Sequence, residues 1–110
     1  MKDRPVTTTE GAPMRVMLRA HMDTAATNES IKSGALPQAM RKLLEMLKPE
    51  SAYFGLSEGV RSCWIVFDMQ DSSQLPAIGD ELFSQLGAEM EICPVMTAED
   101  LTKGLQAIGR

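Results

Sequence analysis

Hydrophobic and polar residues alternate with a period of two in several short stretches of the chain, which is the pattern of β-strands. In residues 14–23 the apolar side chains occupy every second position, and their neighbours form a mixed face that includes Met17. Residues 60–69 are rich in β-branched and aromatic side chains and are apolar on both faces, which predicts a strand in the middle of a sheet. Two shorter strands are predicted at 52–56 and 89–95, and a tight turn at 57–59 joins 52–56 to 60–69 as a hairpin.

A helical period of 3.6 residues replaces this alternation in three other stretches. Pro37 and Pro76 suit the first turns of the first two predicted helices, and Gly87 suits the residue after the second. The third helix is predicted after a cap at Thr97 and is expected to lie on the rest of the fold. Residues 23–34 are interpreted as a connection with room for one turn of helix, capped by Thr27 or Asn28. The three apolar stripes are Met40, Leu43, Leu44 and Leu47; Leu75, Ile78, Leu82 and Leu86; and Leu101, Leu105 and Ile108.

The order of these elements predicts an α+β fold, a ferredoxin-like βαββαβ unit followed by a C-terminal helix. Both internal helices should pack on one face of a four-stranded antiparallel sheet whose first and third strands are central. The other face would then expose apolar side chains, and we expect a second copy to cover it, giving a homodimer through the sheet face. We expect residues 1–13 to be a flexible tail and residues 14–110 to be a single domain.

The composition of the chain argues against nucleic acids and membranes as binding partners. The chain has 110 residues and a formal net charge of −4, with acidic and basic residues intermixed, so no nucleic-acid partner is predicted. No apolar run approaches the roughly 20 residues that cross a bilayer, and residues 1–13 lack the apolar segment of a secretion signal. We therefore expect no membrane association and a cytoplasmic location.

Few residues suggest metal or cofactor chemistry. Cys63 and Cys93 lie in predicted strands and are interpreted as buried free thiols rather than as a disulfide or a metal pair. No zinc spacing, phosphate loop or dinucleotide-binding fingerprint occurs, so no metal and no cofactor are predicted.

His21 is the one candidate catalytic residue. It is the single histidine of the chain and lies close to Asp23 at the end of the first strand, where an imidazole can act as a general base. The alternative is a strand-end histidine that only hydrogen-bonds a neighbour or water.

Four further residues are candidates for ligand binding. Tyr53 and Trp64 could line a pocket, with the Tyr53 hydroxyl as a donor, or could simply pack in the core. Arg19 and Arg61 are expected on neighbouring strands, where together they could hold a carboxylate. The alternative for these arginines is a set of interface salt bridges to Glu89, Glu91 or Asp68.

Several segments together resemble the dimeric α/β-barrel superfamily of ferredoxin-like proteins, and more narrowly a group of small bacterial proteins of that type without an assigned activity. They are Pro-Glu-Ser-Ala-Tyr-Phe at 49–54, Gly-Val-Arg at 59–61, Trp-Ile-Val-Phe-Asp at 64–68 and Pro-Val-Met-Thr-Ala-Glu-Asp-Leu at 94–101. The resemblance implies a dimer and a pocket between sheet and helices. It does not imply one activity, because the superfamily includes cofactor-free monooxygenases, isomerases, haem-degrading enzymes and ligand-sensing modules.

Two functions follow as hypotheses. The first is a homodimer that binds a small hydrophobic or aromatic ligand without transforming it. The second is a cofactor-independent isomerase or monooxygenase on a small aromatic or enol substrate, with His21 as its base. The residues leave open which of the two holds.

Overall fold

Four antiparallel strands form one sheet in the computed structural model of the chain, which describes residues 13–109. The order across the sheet is β2-β3-β1-β4, so β1 and β3 are central, as predicted. Apart from Pro13, the tail predicted at 1–13 lies outside the described residues. The strands are β1 (Met14–His21), β2 (Ser51–Ser57), β3 (Val60–Met69) and β4 (Glu89–Pro94).

The helices confirm the ferredoxin-like α+β fold with its C-terminal helix. A short 3₁₀ turn at Ser72–Gln74 leads into the third helix. Within residues 13–109, no helix has both the length and the apolar character needed to cross a membrane. The helices are α1 (Thr24–Ser33), α2 (Ala35–Leu47), α3 (Leu75–Leu86) and α4 (Ala98–Ala107).

The prediction that residues 23–34 form a connection is wrong, because ten of these residues form helix α1. Its cap is Asp23, whose carboxylate accepts a hydrogen bond from the Ala26 N–H at 2.8 Å, rather than Thr27 or Asn28. Gly34 ends the helix at φ 83°, a left-handed conformation that suits glycine. The helix has no apolar stripe like that of α2, so its boundaries depend on these two caps.

One hydrophobic core lies between the sheet and the helices. The side chains of β1 and β3 that point to this face are buried, and they meet the buried faces of α2 and α3. The opposite face of the sheet, which we call the open face, carries the mixed residues of β1. No helix in residues 13–109 covers it. The core residues are 0–1% exposed: Val16, Leu18, Ala20, Leu43, Cys63, Ile65, Phe67, Ile78, Leu82 and Leu86.

Helix α4 corrects a second expectation, since it does not lie on the rest of the fold. It buries no residue, and its apolar stripe of Leu101, Leu105 and Ile108 is 46–61% exposed. The predicted cap is confirmed, because Thr97 and Asp100 form a reciprocal capping box. The Thr97 backbone N–H and hydroxyl, followed by the Arg15 guanidinium at 3.1 Å, lower the pKa of Asp100.

The two cysteines have different environments. Cys63 is buried, as predicted, and burial raises the pKa of its thiol to about 11. Cys93 is exposed on β4, so the prediction that it is buried is wrong. It pairs with Met17 and lies on the open face of β4, an edge strand of the sheet.

Candidate functional site

Four of the five candidate site residues lie on the open face. Tyr53 of β2 pairs with Trp64 of β3, Trp64 pairs with Arg19 of β1, and Arg19 pairs with Glu91 of β4. Side chains of paired residues point to the same face of a sheet, so these four form a row across all its strands. Tyr53 is 67% exposed and Trp64 is partly buried.

His21 belongs to the next row, between Ser62 of β3 and Glu89 of β4. Its Nδ1 lies 2.9 Å from the Ser62 hydroxyl, which in turn donates to the Val60 carbonyl at 3.1 Å. The single proton of the Ser62 hydroxyl is used in the hydrogen bond to the Val60 carbonyl. The Ser62 oxygen therefore accepts a hydrogen bond from Nδ1–H of His21. The neutral imidazole therefore keeps its free lone pair on Nε2.

Nε2 of His21 faces a shallow cleft at the end of the sheet. Glu58 Oε1 lies 3.8 Å away, too far for a hydrogen bond, and belongs to the two-residue turn between β2 and β3. Three carboxylates and one guanidinium surround the opening, so a neutral or cationic group is better accommodated here than an anion. The cleft is lined by Arg19, His21, Glu58, Glu89, Met90 and Glu91.

Arg61 is the candidate that the structure separates from the others. It pairs with Leu56 and shares its face with Cys63, so its side chain points to the helix side of the sheet. Arg19 and Arg61 lie on neighbouring strands, as expected, but on opposite faces, and so cannot hold one carboxylate together. Arg19 instead lies 3.7 Å from Glu91 in a salt bridge within the chain.

A second cleft, here called the apolar cleft, opens between α2 and the end of the sheet. It has a volume of about 190 Å³, and Arg61 supplies its positive charge. Within residues 13–109, Arg61 makes no ion pair with a carboxylate. A cavity of about 150 Å³ with aliphatic and aromatic walls is known to bind benzene, so this cleft suits one ring. Its lining residues are Met22, Leu36, Met40, Phe54, Gly55, Arg61 and Ser62.

Sequence reasoning missed Ser62 and Glu58. The sequence analysis gave Ser62 no role, because its hydrogen bond to His21 depends on the register of β1 on β3. A usable signal was the Glu58-Gly59 turn, because a two-residue turn fixes the hairpin register and places Ser62 opposite Gly55. The pairing with β1 joins distant segments and had no such local signal. Among the described residues, no three His, Cys, Asp or Glu side chains converge on a position that could hold a metal ion.

The fold defines the class of the protein: a small ferredoxin-like α+β protein. The resemblance seen in the sequence is thereby confirmed at the level of fold. Over residues 14–109 the chain matches the family described as Domain of unknown function (DUF3303), and it belongs to that family.

Two solved structures share the fold at low identity. The uncharacterized protein TM1266 from Thermotoga maritima is 12% identical, with a TM-score of 0.50, and the match covers 76% of this chain and 99% of that one. MtbAldR is 14% identical, with a TM-score of 0.51, and the match covers 88% of this chain. This chain spans 60% of the length of MtbAldR. No curated protein matches the sequence.

Proposed function

We propose that this protein is a homodimer that binds a small aromatic or hydrophobic ligand in the apolar cleft, one ligand to each copy. The proposal of ligand binding rests on the cleft itself, in which Met40 and Phe54 form apolar walls and Arg61 offers a charge for an ion pair. An apolar ligand with one carboxylate matches both features.

The open face supports the homodimer. Met17, Trp64 and Val66 are partly buried neighbours on the two central strands, and the exposed Tyr53 extends this apolar surface to the edge. Leaving such a face in water is unfavourable, and the apolar area can be buried by a second identical sheet. Dimerisation leaves the apolar cleft accessible, because that cleft lies on the helix side.

Binding of aromatic acids should raise the melting temperature of the protein. At a ligand concentration ten times the dissociation constant, the native state gains about 1.4 kcal/mol, which is roughly 5–10 °C for a domain of this size. We expect this shift with small aromatic carboxylic acids in differential scanning fluorimetry, and a smaller shift with the matching neutral amides.

The variant Arg61→Gln should lose the preference for acids over amides and keep binding of the ring. Arg41→Gln, which removes a charge from the exposed side of α2, is the matched control and should behave as the wild type. A shift that is absent for every ring compound, or an acid preference that survives in Arg61→Gln, would contradict the proposed site.

A second candidate function rests on His21. Its Nε2 lone pair is directed by Ser62 towards the open cleft, which is the arrangement of a general base. In the isomerisation of a small aromatic enol, Nε2 would take the hydroxyl proton and the imidazolium would return a proton to carbon. The step is redox-neutral and needs no cofactor.

Loss of enol absorbance, followed for a panel of small aromatic enols, tests this second function. We expect His21→Gln to lower kcat by about 10²–10⁴, in line with the usual contribution of a general base. Ser62→Ala should lower kcat less, because it removes only the hydrogen bond that orients the imidazole. Equal rates for the wild type and His21→Gln on every enol would exclude the general base.

A further inference from the structure

Charge on the open face differs from strand to strand. The open-face residues of β1 include Arg15, Arg19 and His21, which are basic or able to become so, whereas those of β4 include Glu89 and Glu91. The open face of β2 has no charged residue, and that of β3 has one acid. The open-face residues of those two strands are Ser51, Tyr53, Gly55 and Ser57 on β2 and Val60, Ser62, Trp64, Val66 and Asp68 on β3.

Two copies can pair their open faces about a two-fold axis in either of two directions. An axis that runs across the strands, here called the crosswise axis, places β1 over β1 and β4 over β4 of the second copy. An axis that runs along the strands, here called the lengthwise axis, reverses the order β2-β3-β1-β4, so that β1 lies over β3 and β4 lies over β2. The pattern of charge distinguishes these two dimers.

From this pattern we infer that the axis runs along the strands, an inference that rests on the proposed homodimer. The crosswise axis would oppose the basic side chains of β1 to one another, and likewise Glu89 and Glu91 of the two copies, and like charges across an interface are costly. The lengthwise axis places the basic residues of β1 over Trp64 and Asp68 of the second copy. It also places the acidic residues of β4 over β2, whose open face is uncharged.

The lengthwise axis gives each opposed pair of strands a favourable contact. The row of Tyr53, Trp64, Arg19 and Glu91 lies over its own reversed copy. The Arg19 guanidinium then meets the ring of Trp64, a cation–π contact, and the Tyr53 hydroxyl can donate to Glu91. Because each contact is made twice in a two-fold dimer, one row supplies four contacts.

The same axis accounts for the uncovered helix α4. A stable dimer buries roughly 800 Å² of accessible surface per partner, so contacts outside the small four-stranded sheet would strengthen the association. Asp100 ties α4 to Arg15, an open-face residue, so the helix leaves the sheet on the side of the interface. With β4 over β2, the stripe of Leu101 and Leu105 can pack beside the exposed Tyr53 of the second copy and add buried apolar area.

Cross-linking with a bismaleimide of about 10 Å span, the usual spacing of stacked sheets, tests the axis. Ser51 and Cys93 occupy the same row on β2 and β4, the two edge strands. In one chain they are three strand spacings apart, roughly 14 Å, which the reagent does not bridge. Under the lengthwise axis, Ser51 of one copy lies over Cys93 of the other, and Cys63 is too deeply buried to react.

We therefore expect covalent dimers from Ser51→Cys, and none from the wild type or from the control that combines Ser51→Cys with Cys93→Ser. Covalent dimers of the wild type through Cys93 alone would establish the crosswise axis and overturn the inference. A light-scattering mass of a dimer without the expected cross-link would also overturn it and leave the proposed homodimer standing. A monomeric mass would remove both.

Discussion

Replacing Phe67 with alanine is expected to lower the free energy of unfolding by about 3–5 kcal/mol, the cost of removing a buried aromatic ring and leaving a cavity. Phe67 is the largest fully buried side chain of the described residues and is 1% exposed, on the core face of β3. The ring cannot be replaced by water, because the cavity is lined by apolar side chains. Urea unfolding, at one fixed protein concentration, measures the loss.

Phe83→Ala is the matched control for this substitution. It removes the same ring from α3, where Phe83 is 55% exposed, so we expect a loss of no more than about 1 kcal/mol. Equal losses for the two variants would contradict the assignment of the core to the helix side of the sheet.

The second large effect is expected at the open face. Met17 and Val66 are paired at the centre of this face, and the lengthwise axis places Met17 of one copy over Val66 of the other. Met17→Glu would remove two carboxylates from water at the apolar centre of the interface, one in each copy. Such a charge costs at least about 3 kcal/mol, which is more than roughly 100-fold in the dissociation constant.

Ile31→Glu controls for the added charge itself. Ile31 is 47% exposed on α1, a helix that contacts α2 and α3. We expect its substitution to leave the dimer dissociation constant unchanged, as measured by sedimentation velocity over a dilution series. Dissociation of both variants to the same extent would indicate a general effect of charge.

Sequence patterns predicted the elements whose signals are local. The strand bounds of 60–69 agree with β3, because β-branched and aromatic residues fill that stretch and the Glu58-Gly59 turn marks its start. The caps at Gly87 and Thr97 were predicted for the same reason, since each depends on one residue and its near neighbours. Helix α1 escaped prediction because its residues include four Thr or Ser and its stability depends on caps at both ends.

The site depended on information that no local pattern contains. The centre of β3 is apolar on both sides, so alternation alone did not decide whether Arg61 or Trp64 shares a face with Arg19. Register settled this question, and it separated Arg61 from the other four candidates. Likewise, the stripe on α4 predicted a packed helix, whereas the structure of residues 13–109 leaves Leu101 and Leu105 exposed.

The central claim is that the open face is the surface through which two copies associate. Light scattering at micromolar concentration tests it most directly. We predict a mass twice the 12.0 kDa of the chain for the wild type and a mass of one chain for Met17→Glu. A monomeric wild type, or a Met17→Glu variant that remains fully dimeric at the same concentration, would contradict it.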